Sequence, residues 1–204
     1  VICWTYKSIY FYEKRCNKFK LQNKYYWNIR HSDFGPFQLR QKFFLALMGL
    51  YSNFSKCNLI YCSMKSKTTH ENYFFKKNNS RVIPNRLAKA TPDNFKRPSE
   101  KNYLLFIGRM HAQKNPKFLK KIYQLIDSTF PGFQLIILGR GWTKDYFYSD
   151  SNNLVIYNQK ENVFDYLKCA SCLLFTSKFG EGYPNVIAEA MSVGTPIIGF
   201  DSGD

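Results

Sequence analysis

The stretch Y-L-L-F-I-G-R-M-H-A-Q-K-N-P, residues 103–116, decides the fold. Its first five residues form an unbroken apolar run closed by Gly108, the pattern of a short strand buried on both faces. Pro116 then opens a segment with Phe118, Leu119, Ile122, Leu125 and Ile126 at helical spacing, which predicts one apolar helix face. The alternation repeats down the chain. Pro131 and Gly132 break the helix, and residues 133–138 give a second buried strand ending at Gly139, Arg140 and Gly141. Residues 154–157 read as a third strand, 163–169 as a second helix and 172–175 as a fourth strand. A third helix is predicted over 184–193, with Pro184 in its first turn and Gly194 just past its end, and a fifth strand over 197–200. Strands and helices alternating over short connections predict an α/β fold. Its sheet is parallel and doubly wound, with ligands at the C-terminal ends of the strands.

Composition limits the alternatives. The chain has 204 residues, 45% of them hydrophobic and 18% aromatic, which excludes disorder, collagen and coiled coil. Its longest apolar stretch, 43–51, falls far short of the roughly 20 residues that span a bilayer. The formal charge of +16 is unevenly spread: residues 1–100 carry 19 Lys and Arg against 5 Asp and Glu, whereas 101–204 carry 11 against 9. A polar stretch punctuated by Pro92 and Pro98 separates the two, so residues 1–95 read as a basic domain and 96–204 as a nearly neutral one. Such a basic half suits an anionic partner: nucleic acid, anionic lipid headgroups or a phosphorylated substrate. The six cysteines show no secreted-domain spacing, and the Cys169-x-x-Cys172 pair lacks the other half of a zinc site. They read as buried reduced thiols, which implies a reducing cytoplasm.

The residues suited to chemistry lie just past predicted strand ends. Gly108 and Arg109 follow the first strand, with Lys114 five residues beyond Arg109. Arg109 with its fork and Lys114 as a point charge suit a diphosphate. Gly108, Gly139 and Gly141 allow close backbone approach to phosphate, and the helix beginning at Pro184 offers main-chain N–H groups to hydroxyls or an anion. Glu181 precedes that helix and Glu189 lies within it. A carboxylate accepts two hydrogen bonds from a vicinal diol, so two carboxylates at one strand end suggest a ligand with a sugar at each end of a diphosphate.

These motifs resemble the family 4 glycosyltransferases, retaining enzymes of the GT-B type with two Rossmann-like parallel-sheet domains. E-G-Y-P-N-V-I-A-E-A-M-S-V-G-T-P-I-I, residues 181–198, is similar to the family's E-x7-E donor motif. F-I-G-R-M-H-A-Q-K-N-P (106–116) resembles its phosphate-contacting segment, and I-I-L-G-R-G (136–141) its glycine turn. In the first half, W-N-I-R-H-S (27–32), His70-Glu71 and V-I-P-N (82–85) resemble a bacterial subset that builds polysaccharides or lipid-linked glycans. The resemblance implies transfer of a sugar from a UDP- or GDP-linked donor to a glycan or lipid-linked acceptor with retention. Arg109 and Lys114 would hold the diphosphate and stabilise charge developing on it. Glu189 would bind the ribose, and Glu181, Gly182, Tyr183, Pro184 and Asn185 the transferred sugar. Tyr157, Asn158 and Gln159 would lie beside the base, while Arg30 or His31 would face the acceptor side. It implies no protein nucleophile, no bound metal and no other cofactor, and no metal-ligand cluster is visible in the sequence.

The chain also departs from the family pattern. It opens at Val1 rather than Met and stops at Asp204 just after a predicted strand, which reads as a central piece of a longer enzyme with both domains truncated. Arg86 stands where the family usually has Gly, so the left-handed turn there should differ. Residues 41–54 are apolar and aromatic between Arg40, Lys42 and Lys56, and read first as a buried helix, second as a helix lying on an anionic membrane surface. In the first case Lys14, Lys18, Lys20 and Lys24 would make the membrane contact, with the protein peripheral on the inner face of the membrane. Other readings stay open: a non-catalytic remnant that binds nucleotide sugar, an epimerase of related fold, and a basic RNA-binding module. No RNA-binding motif is present, and no nucleic-acid partner is expected.

Overall fold

The computed structural model describes all residues except 1, 4–5, 20–24, 33–34, 36–37, 88–97, 159, 161 and 202–204. Much of the predicted linker, and Gln159, lie outside the described residues. The chain divides into two compact units. One takes in the described residues up to Arg86 together with Phe179–Tyr183, and the other Leu87–Lys178 with Pro184–Asp201.

The first unit alternates strand and helix: β1 (Ile2–Cys3), α1 (Tyr6–Phe19), β2 (Tyr26–Ile29), α2 (Leu39–Phe54), β3 (Asn58–Tyr61), α3 (Met64–Asn72) and β4 (Ser80–Val82). The four strands are parallel and lie in chain order, so each crossover passes through a helix. Period-2 alternation sends Trp27, Ile29, Leu59 and Tyr61 into a core shared with Ile9 of α1 and Leu45 and Met48 of α2. Helix α2 buries only one narrow face, formed by Leu45, Met48, Gly49 and Ser52. Phe43, Phe44, Leu47, Leu50 and Phe54 are exposed, Phe54 to 87%. The expectation that residues 41–54 are mainly a core helix is therefore corrected. Of the four lysines expected at a membrane, Lys14 is exposed; the placement of the Lys18, Lys20 and Lys24 side chains is not described.

In the second unit come β5 (Asn102–Ile107), a 3-10 turn (Ala112–Lys114), α4 (Pro116–Thr129), β6 (Phe133–Leu138), α5 (Lys144–Phe147), β7 (Leu154–Tyr157), α6 (Val163–Cys169), β8 (Cys172–Phe175), α7 (Asn185–Ser192) and β9 (Ile197–Gly199). Its five strands are all parallel in the order β7-β6-β5-β8-β9. Two cores cover the two sheet faces. Phe106, Leu135, Ile137 and Leu174 pack with Leu119 and Tyr123 of α4 and with Trp142 and Phe147, while Tyr103, Leu105, Ile136 and Leu173 pack with Tyr166, Leu167 and Ala190 from α6 and α7. Double coverage explains why these strands read as continuous apolar runs. On α4 the buried stripe is Leu119, Tyr123 and Ile126; Phe118 and Leu125 face outward, Leu125 to 62%. Tyr123 takes the inward place because its hydroxyl meets the Ser149 hydroxyl at 2.5 Å, satisfying the polar end of a buried ring. Cys3, Cys57, Cys62 and Cys172 are buried and Cys169 is half-buried, none of them in a disulfide.

Candidate active site

The parallel strands of the second unit send the loops after Ile107, Leu138, Tyr157 and Phe175 out at one pole. Strand order reverses between β5 and β8, and ligand crevices in open α/β sheets form outside such a switch point. The loop after β5 carries Gly108, Arg109 and Lys114. The His111 side chain caps the 3-10 turn by accepting from the Gln113 N–H at 3.3 Å. Asn115 then takes a left-handed conformation (φ 53°, ψ 60°) and starts α4. This loop is tied to the segment after β8: the Thr176 hydroxyl donates to the Lys114 carbonyl at 2.6 Å, and the Lys178 N–H donates to the Gln113 carbonyl at 2.9 Å. The Lys114 ammonium lies 5.5 Å from the centre of the Phe175 ring. Its stem passes 3.1 Å from where a Cβ on Gly108 would stand, so a side chain at 108 would displace it. Lys114 is half-buried at the switch point and Arg109 is exposed.

The glycine turn packs closely on the loop after β5. A Cβ on Gly139 would strike the Gly108 carbonyl, and Gly141 (φ 88°) sits with its missing Cβ 3.2 Å from the Cβ of Met110. These glycines let two protein loops pack on each other. The Met110 N–H donates to the Arg140 carbonyl at 2.8 Å, and the buried Trp142 indole donates to the Gly108 carbonyl at 2.7 Å. On the next strand end, Tyr157 packs edge-on against Tyr166 at 5.8 Å, with the Lys160 ammonium 4.1 Å above its ring. Asn158 follows and is exposed.

Pro184 is the N-cap of α7 and Asn185 its first residue, one position later than the predicted start, and no side chain caps this end. Glu189 lies about one turn in, half-buried, and burial pushes its carboxyl above the usual glutamate value. Glu181 belongs to the first unit and Glu189 to the second.

In the first unit, Arg30 and His31 follow β2, and Glu181, Gly182 and Tyr183 gather with them. The Ser32 hydroxyl donates to the Glu181 carbonyl. A Cβ on Gly182 would stand 2.5 Å from the Arg30 carbonyl oxygen and 2.7 Å from Cys62 Sγ, so only glycine fits against the ends of β2 and β3. Sequence reading picked out His70 only within the His70-Glu71 motif; it missed Tyr6 and Ser66, which gather with His31, and in the second unit Trp142 and Thr176. The tryptophan directly after the glycine turn was an available signal; Thr176 offered none. Arg86 is not among the described residues with positive φ. Among the described residues no three His, Cys, Asp or Glu side chains cluster as a metal site requires.

Comparison with known proteins places the fold. Over 164 residues the chain is 29% identical to MJ1059, an uncharacterised glycosyltransferase of Methanocaldococcus jannaschii, covering 70% of this chain and 39% of that protein. The structure matches TarM with a TM-score of 0.75 at 19% identity, over all of this chain and 41% of that one. It matches Anabaena Alr3699/HepE, solved in complex with UDP-glucose, with a TM-score of 0.76 at 16% identity, over 99% of this chain and 60% of that one. At these identities the solved structures share the fold, that of the GT-B glycosyltransferases, and the chain spans less than two thirds of each relative. Residues 101–204, just over half of the sequence, match the model of one family. On that match the chain belongs to the glycosyl transferases group 1 family.

Proposed function

We propose that this chain carries the donor-binding and part of the acceptor-binding machinery of a retaining glycosyltransferase, which moves a sugar from a nucleotide-sugar donor to a glycan or lipid-linked acceptor. The observation that carries this reading is Lys114, tied by Thr176 at the switch point of a parallel sheet with Arg109 on the same loop. Two cations there suit a diphosphate. In the transfer, the bond between the sugar C1 and the diphosphate oxygen breaks and the electron pair leaves with the nucleoside diphosphate. A new bond forms from C1 to the acceptor oxygen, and the acceptor's proton passes to the leaving phosphate. Arg109 and Lys114 stabilise the negative charge that grows on the diphosphate. Glu189 accepts from the ribose diol, and Tyr157, Asn158 and Gln159 flank the base. Glu181 with Gly182, Tyr183, Pro184 and Asn185 holds the transferred sugar, and Arg30 and His31 serve the acceptor. UDP-glucose bound to the HepE relative favours a uridine donor here.

A membrane partner is proposed on a separate observation. The exposed aromatic side of α2 lies in the basic half of the sequence, with Arg40, Lys42 and Lys56 beside it. No described helix is long and apolar enough to cross a membrane. A lipid-linked acceptor would be met by this helix lying on an anionic surface, with the protein peripheral on the cytoplasmic side.

Calorimetric titration with UDP and with GDP, beside Arg109→Ala and Glu189→Ala, tests the donor site. Saturable binding to one nucleotide, lost in both variants, is the expected result. A folded protein that binds neither nucleotide refutes the assignment. Binding without turnover of any offered acceptor would identify a nucleotide-sugar-binding remnant instead.

A further inference from the structure

Past Ile107 the chain keeps the alternation of β5, although the strand has ended. Along an extended segment each residue points its N–H and C=O to one edge, and successive residues point to opposite edges. The Gly108 N–H donates to the Leu138 carbonyl at 2.9 Å and the Met110 N–H to the Arg140 carbonyl at 2.8 Å, both toward the β6 side. Arg109 stands between them and turns its own N–H to the other edge. That edge is the one β8 occupies. Tyr103, six positions earlier and so on the same side as Arg109, accepts there from the Ser171 N–H at 2.9 Å, just before β8. Strand β8 stops at Phe175, and the Arg109 N–H lies beyond its last pairing, at the gap where strand order reverses. Among the described residues no protein group accepts from it.

The peptide that carries this N–H is held from behind. A trans peptide sets its C=O and N–H on opposite sides, and no described peptide bond is cis. The Gly108 carbonyl accepts from the Trp142 indole at 2.7 Å. Trp142 is buried, with the Phe106 ring edge-on at 5.4 Å and the Phe147 ring at 5.9 Å, so the indole cannot swing away without opening the core. Gly139 completes the clamp, because a Cβ there would strike the same carbonyl. We infer that Trp142 is a positioning residue that holds the Gly108 carbonyl inward and so aims the Arg109 main-chain N–H at the switch point, as a hydrogen-bond donor to the nucleotide diphosphate. This main-chain donor stands beside two long cationic side chains and, unlike them, loses no rotamer freedom when it binds. The inference rests on the reading of this loop as the diphosphate site.

Calorimetric and NMR titrations with UDP and GDP, each beside its nucleoside, test it. In the unmodified protein the Arg109 amide proton should move downfield as the nucleoside diphosphate binds and stay in place with the nucleoside alone. Trp142→Phe keeps an aromatic ring in the core and removes the indole N–H. It should weaken the diphosphate about three- to tenfold, part of the tenfold or more that a hydrogen bond to a charged group contributes. Nucleoside affinity should not change; an equal loss for both ligands would mark a merely structural role and overturn the inference. Arg109→Ala keeps the main-chain N–H, so Trp142→Phe should cost the same factor in that background. A loss seen only with the arginine in place would mean that the indole positions the side chain, which also overturns the inference. So does an Arg109 amide that stays in place in unmodified protein saturated with the diphosphate, and this measurement decides on its own if Trp142→Phe fails to fold. A folded protein that binds neither UDP nor GDP refutes the donor site, and the inference with it.

Discussion

Replacing Glu189 by Gln should move binding and stability in opposite directions. The substitution keeps the side chain's shape and removes its charge. With its carboxyl pushed up by burial, Glu189 is more costly to ionise in the folded chain than in the unfolded one. Between the ordinary glutamate value and the raised one, the folded state holds more protons. Stability therefore rises as pH falls through that window and levels off below it, and at neutral pH the ionised group is a net cost. A neutral Gln relieves that cost, so thermal unfolding at pH 7 should occur at the same or a higher temperature. Binding should change the other way, because a carboxylate accepts from both hydroxyls of a ribose whereas an amide offers one acceptor. Hydrogen bonds to charged groups contribute about 1.5–3 kcal/mol, so losing one weakens binding about ten- to a hundredfold. Acid should imitate the substitution, lowering affinity as pH falls through the raised carboxyl value and leaving Glu189→Gln unaffected. Calorimetric titration with UDP-glucose, together with melting curves over the same pH range, reads both quantities. Unmodified affinity in a folded Glu189→Gln protein would remove the ribose assignment. A lowered melting temperature would instead mean that the carboxylate has a structural partner.

Three further outcomes are expected. Gly182→Ala forces a Cβ to within 2.5 Å of the Arg30 carbonyl; overpacking of about 1–3 kcal/mol should lower the melting temperature and abolish turnover while UDP still binds, and an unchanged melting curve would count against the close approach. Glu13 is buried and accepts from the Ser55 hydroxyl at 2.6 Å and the Tyr51 hydroxyl at 3.2 Å. Glu13→Ala leaves both hydroxyls without their acceptor and should cost about 1–3 kcal/mol in denaturant unfolding, more than Tyr51→Phe. Finally, Phe43→Ser combined with Phe54→Ser should weaken sedimentation with anionic lipid vesicles without lowering the melting temperature, since both rings are already exposed. Vesicle binding equal to that of the unmodified protein would exclude α2 as the contact.

The second unit was legible because its strands are buried on both faces. Residues 133–138, 154–157 and 172–175 read as apolar runs, and each forms a strand with those bounds. Turn residues fixed the ends: Gly108, Gly139 and Gly194 stand where elements stop, and Pro116 and Pro184 where helices start. The first unit was largely illegible. Its strands have two to four residues, and β3 and β4 alternate half-open with buried or exposed positions, so these two carry too little pattern to stand out. The apolar content of α2 pointed to a core, yet hydrophobicity alone does not reveal whether the fold supplies a second surface to cover it. Pinning interactions were invisible for another reason. Thr176 reaches Lys114 across 62 positions and Tyr6 reaches His70 across 64, distances at which sequence spacing carries no signal.

The distribution of charge separates the proposed partners. If the basic excess served the donor diphosphate, it should lie in the half that carries Arg109, Lys114 and Glu189. That half holds 11 basic against 9 acidic residues, and the excess of 14 lies in residues 1–100. A diphosphate needs few cations, because two held at short range in a partly dry crevice outweigh many distant ones screened beyond roughly 10 Å by salt. An extended anionic surface has the opposite requirement. It rewards many loosely placed basic residues at about 1 kcal/mol each, and it rewards exposed aromatic rings that enter the interface. The first half offers both, in lysines spread along its sequence and in the uncovered side of α2. Nucleic acid would use the same basic residues, but it asks for bases to stack on exposed rings along a groove. In α2 the exposed apolar residues include aliphatic Leu39, Leu47 and Leu50 on a single helix, which suits acyl chains better than bases. Under the proposed function the two kinds of positive charge divide the work, a few fixed cations for the donor and a diffuse field for the surface on which a lipid-linked acceptor is presented.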